Sequence, residues 1–479
     1  MMNTSWKELC SKQEKETIWQ SIYRVIRRCS TTNEDKLLRF GERSPNESAS
    51  LLAKTFYPDD DYNKDTEEQR NIRAEVDIII RSLKNYTDTT YIKFTEVEIE
   101  MVFQKMNPKK APGEDGMTSD ICYESYKTTP SILLAIYNKC LEIGYFPKIW
   151  KKAIIKIIPK PGKVDYTVPK AYRPIGLLPV FGKILEKLFV GRLLWQLGRE
   201  GKFSNRQYGF MPQLSTEDAL YDIMTVIKQG IKEKKIVVMV SLDIEGAFDN
   251  AWWPQIIKEI QRKNVNIHNL RLITSYLSSR SVIVKYAGAI ATKPTTKGCI
   301  QGSTCGPILW NILLDPLLEL SSDMDVHLQA FADDILIIAK GNSSKDVEDK
   351  LNPALEKIVT WGKTHKLNFA PHKTQSIVIT KKLSYELPII KMDKIIIQPS
   401  TSLKVLGVTI DKNLNFVEHL DEVLGKAIKI YKMIARTAKA HWGLHSDIVK
   451  TIYIVVVEPT ILYAANVWGM TVKKEYMKK

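Results

Sequence analysis

The chain has 479 residues, and its 70 Lys and Arg residues outnumber its 54 Asp and Glu residues, giving a formal net charge of +16. The length predicts about three lobes or domains. A hydrophobic fraction of 44% is ordinary for a soluble globular protein. No uninterrupted apolar run reaches the ~18 residues that a membrane span needs, and the charged opening segment lacks the apolar centre of a secretory signal. We therefore expect an intracellular protein with no membrane partner.

The cysteines give no sign of a disulfide or zinc framework. They form no C-x-x-C pair, and no histidine lies at metal-ligand spacing from them. In an intracellular protein such cysteines are expected to be reduced and mostly buried. The six are Cys10, Cys29, Cys122, Cys140, Cys299 and Cys305.

The positive charge is concentrated in one part of the chain. Residues 151–210 hold 13 basic and 3 acidic side chains. Because this block lies within a predicted folded region and not in a tail, it indicates a polyanionic partner. The alternative is a surface whose charges are simply solvated.

The first half of the chain is predicted to begin with a polar extension and to continue with helices and strands. Residues 1–93 have the pattern of a helical extension that contains an acidic loop, "PDDD", at 58–61. An amphipathic helix is predicted at 94–106, a strand with alternating basic and aliphatic side chains at 151–163, and an apolar strand at 236–244.

The second half alternates in the same way and ends in a basic, helical region. Strands alternating with helices favour an α+β or α/β body followed by a helical C-terminal lobe. The elements are a helix at 307–320, the strand-like run "FADDILII" at 331–338, a helix at 344–367, a strand at 373–380, an apolar segment at 403–410, and helices beyond it.

Two adjacent carboxylates interrupt the apolar run 331–338. Burying an unpaired carboxylate is unfavourable, so Asp333 and Asp334 must be solvated at a strand end or neutralised by a cation. Asp243 ends the apolar strand 236–244, and neighbouring strands would bring it to Asp333. Two divalent cations held by such carboxylates can bind the attacking and leaving oxygens of a phosphoryl transfer. The alternative is that each aspartate caps a helix or a turn.

The motifs, in their order along the chain, resemble those of reverse transcriptases from non-LTR (LINE-type) retrotransposons, in particular arthropod jockey-like elements. The resemblance covers about 94–412. It rests on "NPKKAPGEDG", "IIPKPGK" followed by "YRPIGLLPVFGKILEKL", "NRQYGFMPQLSTEDA", "SLDIEGAFDN", "GCIQGSTCGPILWNILLD", "FADD", "HKT" and "LKVLGVTID".

The resemblance implies an α+β right-hand polymerase fold, with fingers, an antiparallel-sheet palm and a helical thumb. It suggests an N-terminal helical extension at 1–93, fingers and palm at 94–400, and a primer grip leading into a truncated thumb at 401–479. The implied activity is RNA-directed DNA polymerisation, a nucleotidyl transfer in which dNTPs extend a DNA primer on an RNA template.

The resemblance also implies a metal site. Asp243, Asp333 and Asp334 match the acidic residues of the polymerase palm, where they would bind two Mg²⁺ ions, with Mn²⁺ as a possible substitute. The main-chain carbonyl of Ile244 would complete the shell of one ion. Lys373, in "HKT", matches a proposed proton donor to the pyrophosphate leaving group.

Other matched residues would bind the nucleotide. Lys160 and Arg173 resemble finger residues that grip the triphosphate, for which an ammonium and a planar guanidinium are suited. Gln301 and Gly302 match the segment beside the nascent base pair, and Gly302 would allow close backbone approach. Phe248 occupies the place of an aromatic steric gate, which would exclude the ribose 2′-hydroxyl and favour dNTPs over rNTPs.

Two alternatives remain open at this point. The chain could be a catalytically silent, nucleic-acid-binding remnant of such an element, because neither the upstream endonuclease nor the downstream Cys/His knuckles of the family can be fitted to it. It could also be an intron-maturase-like reverse transcriptase, although 67 residues after the last motif leave little room for a further RNA-binding domain. No endonuclease or RNase H domain is expected here, and a nuclear location follows only from the implied function.

Overall fold

In the computed structural model, the described residues are 43–86, 90–437 and 446–469. The described residues form two compact units, one within 43–415 and the other within 416–469. The domain boundaries expected at 93 and 400 stay a prediction. The extension helices within 43–86 belong to the same unit as both large sheets, and the second unit begins after the predicted primer grip.

The larger unit combines helices with two mixed sheets, as expected for an α+β fold. Its helices are α1 (Pro45–Phe56), α2 (Glu67–Lys84), α3 (Glu96–Gln104), α4 (Ser119–Thr128), α5 (Pro130–Ile143), α6 (Val180–Arg199), α7 (Thr216–Lys232), α8 (Trp253–Arg262), α9 (Ile267–Leu277), α10 (Gly306–Glu319) and α11 (Ser344–Thr364). Its strands are β1 (Lys152–Pro159), β2 (Tyr172–Leu177), β3 (Ile236–Leu242), β4 (Arg280–Tyr286), β5 (Ala289–Thr295), β6 (His327–Phe331), β7 (Asp334–Gly341), β8 (Gln375–Ile379), β9 (Ile390–Met392), β10 (Ile395–Ile397), β11 (Pro399–Ser400), β12 (Ser402–Val405) and β13 (Val408–Asp411).

The five-stranded sheet has the strand order β11-β8-β3-β7-β6. Its central strand, β3, is a nearly continuous apolar run whose side chains are buried on both faces, which is typical of a sheet covered on both sides. Strands β7 and β8 flank β3 in antiparallel orientation, and the β3–β7 ladder ends with Leu242 opposite Ile335. The strands predicted at 236–244 and 373–380 are therefore neighbours.

The run "FADDILII" is a hairpin and not a single strand. Strand β6 ends at Phe331, Ala332 and Asp333 form the turn, and β7 begins at Asp334. Ala332 has a φ of +59°, the left-handed conformation that lets a tight turn reverse the chain. The strand expected at 331–338 thus begins three residues later, at Asp334, because a short apolar run does not reveal a turn built from Ala and Asp.

The four-stranded sheet has the order β2-β1-β4-β5, in which β1 is antiparallel to β2 and parallel to β4. Helix α1 packs against β4 and β5, and α2 packs against α8. Both N-terminal helices begin with a capping box, formed by Ser44 with Glu47 and by Thr66 with Gln69, which satisfies the first amides of each helix. These contacts integrate the described part of the N-terminal extension into the larger unit.

The segment 403–410 is also a hairpin. Strands β12 and β13 pair through Val405 and Val408, and the turn between them uses Leu406 (φ +46°) and Gly407 (φ +88°). Among the described residues, the four cysteines Cys122, Cys140, Cys299 and Cys305 are buried and free, as predicted, whereas Cys10 and Cys29 lie outside the described part of the chain.

The smaller unit is helical where it is described. It contains α12 (Val417–Thr437), α13 (Ser446–Ile452), a π-helical turn at Tyr453–Val457, α14 (Glu458–Leu462) and α15 (Ala465–Trp468). By length and composition alone, Ser446–Trp468 could cross a membrane, with a mean hydropathy of 1.6. A core helix of a soluble protein can show the same composition. The helical conformation is interrupted at Ala464, where φ is +53°. The expected absence of a membrane partner stays a prediction.

Candidate active site

Two of the predicted acidic residues lie side by side at one end of the five-stranded sheet. Because the β3–β7 ladder ends with Leu242 opposite Ile335, Asp243 and Asp334 are the next residues on the two strands. Asp333 sits in the adjoining turn. The sheet therefore brings the three aspartates to one edge, as the sequence predicts.

These carboxylates repel one another. The pKa of Asp333 is raised by burial and by the negative charge of Asp243. The pKa of Asp334 is also raised by burial, and then by the charges of Asp333 and Asp243. Both side chains nevertheless keep access to solvent. The edge thus carries concentrated negative charge that a cation would stabilise.

Lys373 contacts this group directly. Its ammonium donates to Oδ1 of Asp243 at 3.0 Å, and both side chains are about half exposed. The backbone supports the pair, because the amide of Ala370 donates to the carbonyl of Asp243 at 2.9 Å. Ile244 is buried and bridges to Phe369. The predicted proton donor and the predicted metal ligand are therefore neighbours.

The turn that carries Asp333 is held by buried side chains that the sequence analysis did not single out. The side-chain oxygen of Gln207 accepts from the amides of Gly209, at 3.0 Å, and Ala332, at 3.3 Å. The indole of Trp310 donates to the carbonyl of Ala332 at 3.1 Å. A methyl group at Gly209 would lie 2.3 Å from the amide nitrogen of Ala332, so only glycine fits there. These residues belong to the "NRQYGF" and "ILWN" motifs, and their place in those motifs is the sequence feature that could have identified them.

Phe248 packs in an aromatic cluster beside the carboxylates. Its ring stacks on Trp310, with ring centroids 5.3 Å apart, and meets Phe210 edge to face at 6.2 Å. Phe248 is only partly buried. Trp310 thereby links the predicted steric gate to the turn at Asp333.

Lys160 and Arg173 are brought together by the pairing of β1 with β2. Arg173 lies opposite Ile158, and Lys160 follows β1 directly. Burial lowers the pKa of Lys160, and the positive charge of Arg173 lowers it further. The Lys160 ammonium donates to the carbonyl of Lys170 at 2.9 Å, while Arg173 is exposed. The pair is a positively charged group suited to phosphate.

The segment with Gln301 and Gly302 lies against β2. The amide of Gly176 donates to the carbonyl of Gln301 at 2.6 Å. Gly302 has a φ of +112°, and a methyl group there would lie 2.4 Å from the carbonyl oxygen of Gly176. Glycine permits a close backbone approach, which in this structure is to the chain's own strand. The expected approach of Gly302 to a nascent base pair stays a prediction.

One carboxylate of the acidic loop, Asp60, is buried together with the nearby Asp65, although the loop was expected to be polar. Asp60 and Asp65 both pair with Arg73 and with Lys366; the Arg73–Asp60 and Lys366–Asp60 distances are each 2.7 Å. The indole of Trp252 also donates to Asp60, at 3.0 Å. Arg73 is near in sequence, but Lys366 lies about 300 residues downstream and Trp252 lies 192 residues from Asp60, so local sequence could not reveal the whole cluster. The cluster ties the extension to the segment that precedes Lys373.

The carboxylates suit a hard divalent cation in their chemistry. Mg²⁺ and similar ions prefer carboxylate oxygens, and the mutual repulsion of Asp243, Asp333 and Asp334 is what such an ion would offset. Within residues 43–86, 90–437 and 446–469, no three His, Cys, Asp or Glu side chains are gathered closely enough to form a metal centre. The ammonium of Lys373 contacts one of the candidate ligands instead.

Comparison with known proteins agrees with this geometry. Residues 158–410 match the family "Reverse transcriptase (RNA-dependent DNA polymerase)". The chain is 29% identical over 378 residues to the "Putative 115 kDa protein in type-1 retrotransposable element R1DM" of Drosophila melanogaster, covering 79% of the chain and 36% of that protein.

Two further relatives extend the comparison. The chain is 27% identical over 476 residues to the "Retrovirus-related Pol polyprotein from type-1 retrotransposable element R1" of Bradysia coprophila, covering 98% of the chain and 46% of the relative. It is 28% identical over 392 residues to the "RNA-directed DNA polymerase from mobile element jockey" of Drosophila melanogaster, covering 80% of the chain and 42% of that relative.

The chain therefore spans less than half the length of these curated relatives. The family match covers more than half of the chain and includes all three aspartates, Lys160, Arg173 and Lys373. The resemblance to reverse transcriptases of non-LTR retrotransposons is confirmed, as is the α+β class of the fold. The chain belongs to the reverse transcriptase family.

Proposed function

We propose that this chain is an RNA-directed DNA polymerase that extends a DNA primer on an RNA template with dNTPs. The observation that carries the proposal is the meeting of Asp243 and Asp334 at the end of the β3–β7 ladder, with Asp333 in the adjoining turn. Membership of the reverse transcriptase family and the name of the jockey relative support it.

In this proposal the three aspartates hold divalent cations, two Mg²⁺ ions or Mn²⁺ in their place, with the carbonyl of Ile244 as a further ligand. Bound there, the cations would activate the primer 3′-hydroxyl and stabilise the pyrophosphate leaving group. The chain's own contribution is to fix the carboxylates on a rigid sheet edge. Gln207 and Trp310 hold the backbone of the turn at Asp333. Filling the site would therefore need movement of side chains, including release of Asp243 by Lys373, but no rebuilding of the turn.

The other predicted site residues have separate roles in the proposal. Lys160 and Arg173 bind and orient the triphosphate of the incoming nucleotide. Lys373, 3.0 Å from Asp243, holds a proton that can pass to the leaving group. Phe248, stacked on Trp310, excludes a ribose 2′-hydroxyl. Gln301 and Gly302 border the nascent base pair.

The basic block 151–210 would bind the sugar-phosphate backbone of primer and template. Its surplus of positive charge supports this role, because phosphate contacts dominate nucleic-acid affinity. A protein that copies an element's RNA into chromosomal DNA would act in the nucleus, and we propose that location for it.

A primer-extension assay tests the function. The purified chain is given a DNA primer annealed to RNA or to DNA of the same sequence, with either dNTPs or rNTPs, in Mg²⁺ and in EDTA. We expect extension on RNA with dNTPs that EDTA abolishes. Binding of primer-template without any extension would support a silent remnant, and extension with rNTPs alone would support an RNA polymerase.

A further inference from the structure

The carboxylate of Glu186 is fully buried and caps the N-terminus of a helix other than its own. Glu186 lies on α6, and its Oε2 accepts hydrogen bonds from the amides of Thr304 at 2.6 Å and Cys305 at 3.1 Å. Those amides stand at the beginning of α10, whose N-cap residue Cys305 supplies no side-chain cap. A carboxylate at a helix N-terminus is stabilised by the exposed amides and by the helix dipole.

The amides that Glu186 binds follow the predicted nucleotide-contacting segment. Gln301 and Gly302 precede Thr304, and the other side of the loop is held by the Gly176–Gln301 hydrogen bond. The Ser303 hydroxyl accepts from the amide of Gly306 at 3.0 Å. The loop 299–305 is therefore fixed by the backbone of β2 at one end and by Glu186 at the other.

Glu186 is held in place by charge as well as by hydrogen bonds. Burial raises its pKa, while the positive charges of Arg280 and Lys183 and the two amides oppose that shift. Arg280 is itself buried and lies 4.1 Å from the ring centre of Tyr276. A buried carboxylate with fixed donors and nearby cations is suited to hold a loop rigidly.

We propose that Glu186 is a positioning residue for nucleotide selection, which acts by fixing the loop that presents Gln301 and Gly302 to the incoming dNTP. The proposal rests on the function proposed above. Glu186 touches neither the three aspartates nor Lys373 in this structure, so it has no part in the chemical step. Its loss should therefore weaken dNTP binding and base discrimination more than it slows catalysis.

The test compares Glu186→Gln with Glu259→Gln. Glu259 is also a buried carboxylate, on α8, but its partners are Gln255 at 2.8 Å and Arg262 at 2.7 Å, and it does not contact the loop. We expect Glu186→Gln to raise the KM for dNTP about tenfold, the effect of losing a charged hydrogen bond, with kcat changed less. KM is informative because it does not depend on the folded fraction of the enzyme.

Hydrogen exchange gives a second measurement that needs no activity. Amides in 299–306 should exchange faster in Glu186→Gln than in wild type and should be unchanged in Glu259→Gln. If Glu186→Gln does not fold, Glu186→Asp, which keeps the charge but shortens the side chain, should show the same effects at smaller size. Equal KM values and equal exchange in both variants would overturn the proposal. An inactive wild type would contradict the proposed function, while the exchange result would still decide whether Glu186 fixes the loop.

Discussion

The ammonium nitrogen of Lys373 lies 3.0 Å from Oδ1 of Asp243, and the two side chains belong to segments joined by backbone hydrogen bonds. The contact affects catalysis in two ways. It places a proton donor beside a candidate metal ligand, and it sets the ammonium in competition with a metal ion for the same carboxylate.

The first prediction separates these consequences with Lys373→Met. Loss of a proton donor should lower kcat by about 10²-fold, while loss of the competing ammonium should lower the Mg²⁺ concentration needed for half-maximal rate. Both are measured by primer extension across a Mg²⁺ series. The matched control is Lys363→Met, which removes a similar ion pair with Asp393 at 2.9 Å on the surface. An unchanged kcat would remove Lys373 from the proton-transfer role.

The second prediction concerns Phe248→Ala. Removing the ring should raise incorporation of rNTPs relative to dNTPs, because the clash it relieves exists for the ribonucleotide alone. The measurement is the ratio of kcat/KM for the two substrates, with folding checked by circular dichroism. Phe210→Ala is the control, since it removes the edge-to-face contact with Phe248 while leaving that ring in place. The same ratio in both variants and wild type would show that Phe248 only packs against Trp310.

The third prediction concerns the basic block. Lys183 and Lys187 lie one turn apart on α6; burial lowers the pKa of each, and the charge of Lys110 lowers it further. Among the described residues neither lysine forms a salt bridge, although the charge of Glu186 acts on Lys183, and such lysines are suited to phosphate. The double substitution Lys183→Gln with Lys187→Gln should flatten the slope of log affinity against log salt by about 1 to 2.

Fluorescence anisotropy of a labelled primer-template measures that slope. The control substitutes Lys228→Gln with Lys232→Gln, which makes the same charge change one turn apart on α7. Equal slopes for the two double variants would show that charge on α6 is not part of the nucleic-acid interface.

The fourth prediction concerns the buried ion cluster of the N-terminal extension. Lys366→Met leaves Asp60 and Asp65, each with a side chain only 1% exposed, short of one cation. Breaking a buried ion pair should destabilise the protein by roughly 3 kcal/mol. Lys64→Met is the control, because Lys64 pairs with Asp61 in the same loop but is exposed and should barely change Tm. Equal Tm values for both variants, measured by differential scanning fluorimetry, would show that Lys366 does not stabilise the buried aspartates.

The sequence predicts the parts of the site that depend on local pattern. Asp243 could be placed at a strand end because β3 is a continuous apolar run, and the family motifs identified Asp333, Asp334 and Lys373. The turn at Ala332 could not be foreseen, because its left-handed conformation is imposed by Gln207 and Trp310 from distant parts of the chain.

Other features depend on contacts between distant segments. The burial of Asp60 requires Arg73 and Lys366 to be in place, and the "PDDD" loop alone has the composition of a solvated turn. Glu186 lies within a quoted motif, yet only the structure shows that its carboxylate binds the amides of Thr304 and Cys305. Charged residues that act across elements are thus the ones that sequence patterns miss.

If Asp243, Asp333 and Asp334 form the catalytic centre of a polymerase, primer extension depends on these carboxylates, and the Asp333→Asn variant removes one of them. The control is Asp323→Asn, which makes the same change at an exposed position outside the site. We expect Asp333→Asn to abolish extension on an RNA template, with primer-template affinity close to that of wild type, while Asp323→Asn retains full activity. Near-wild-type extension by a well-folded Asp333→Asn variant would show that the three aspartates are not a catalytic centre.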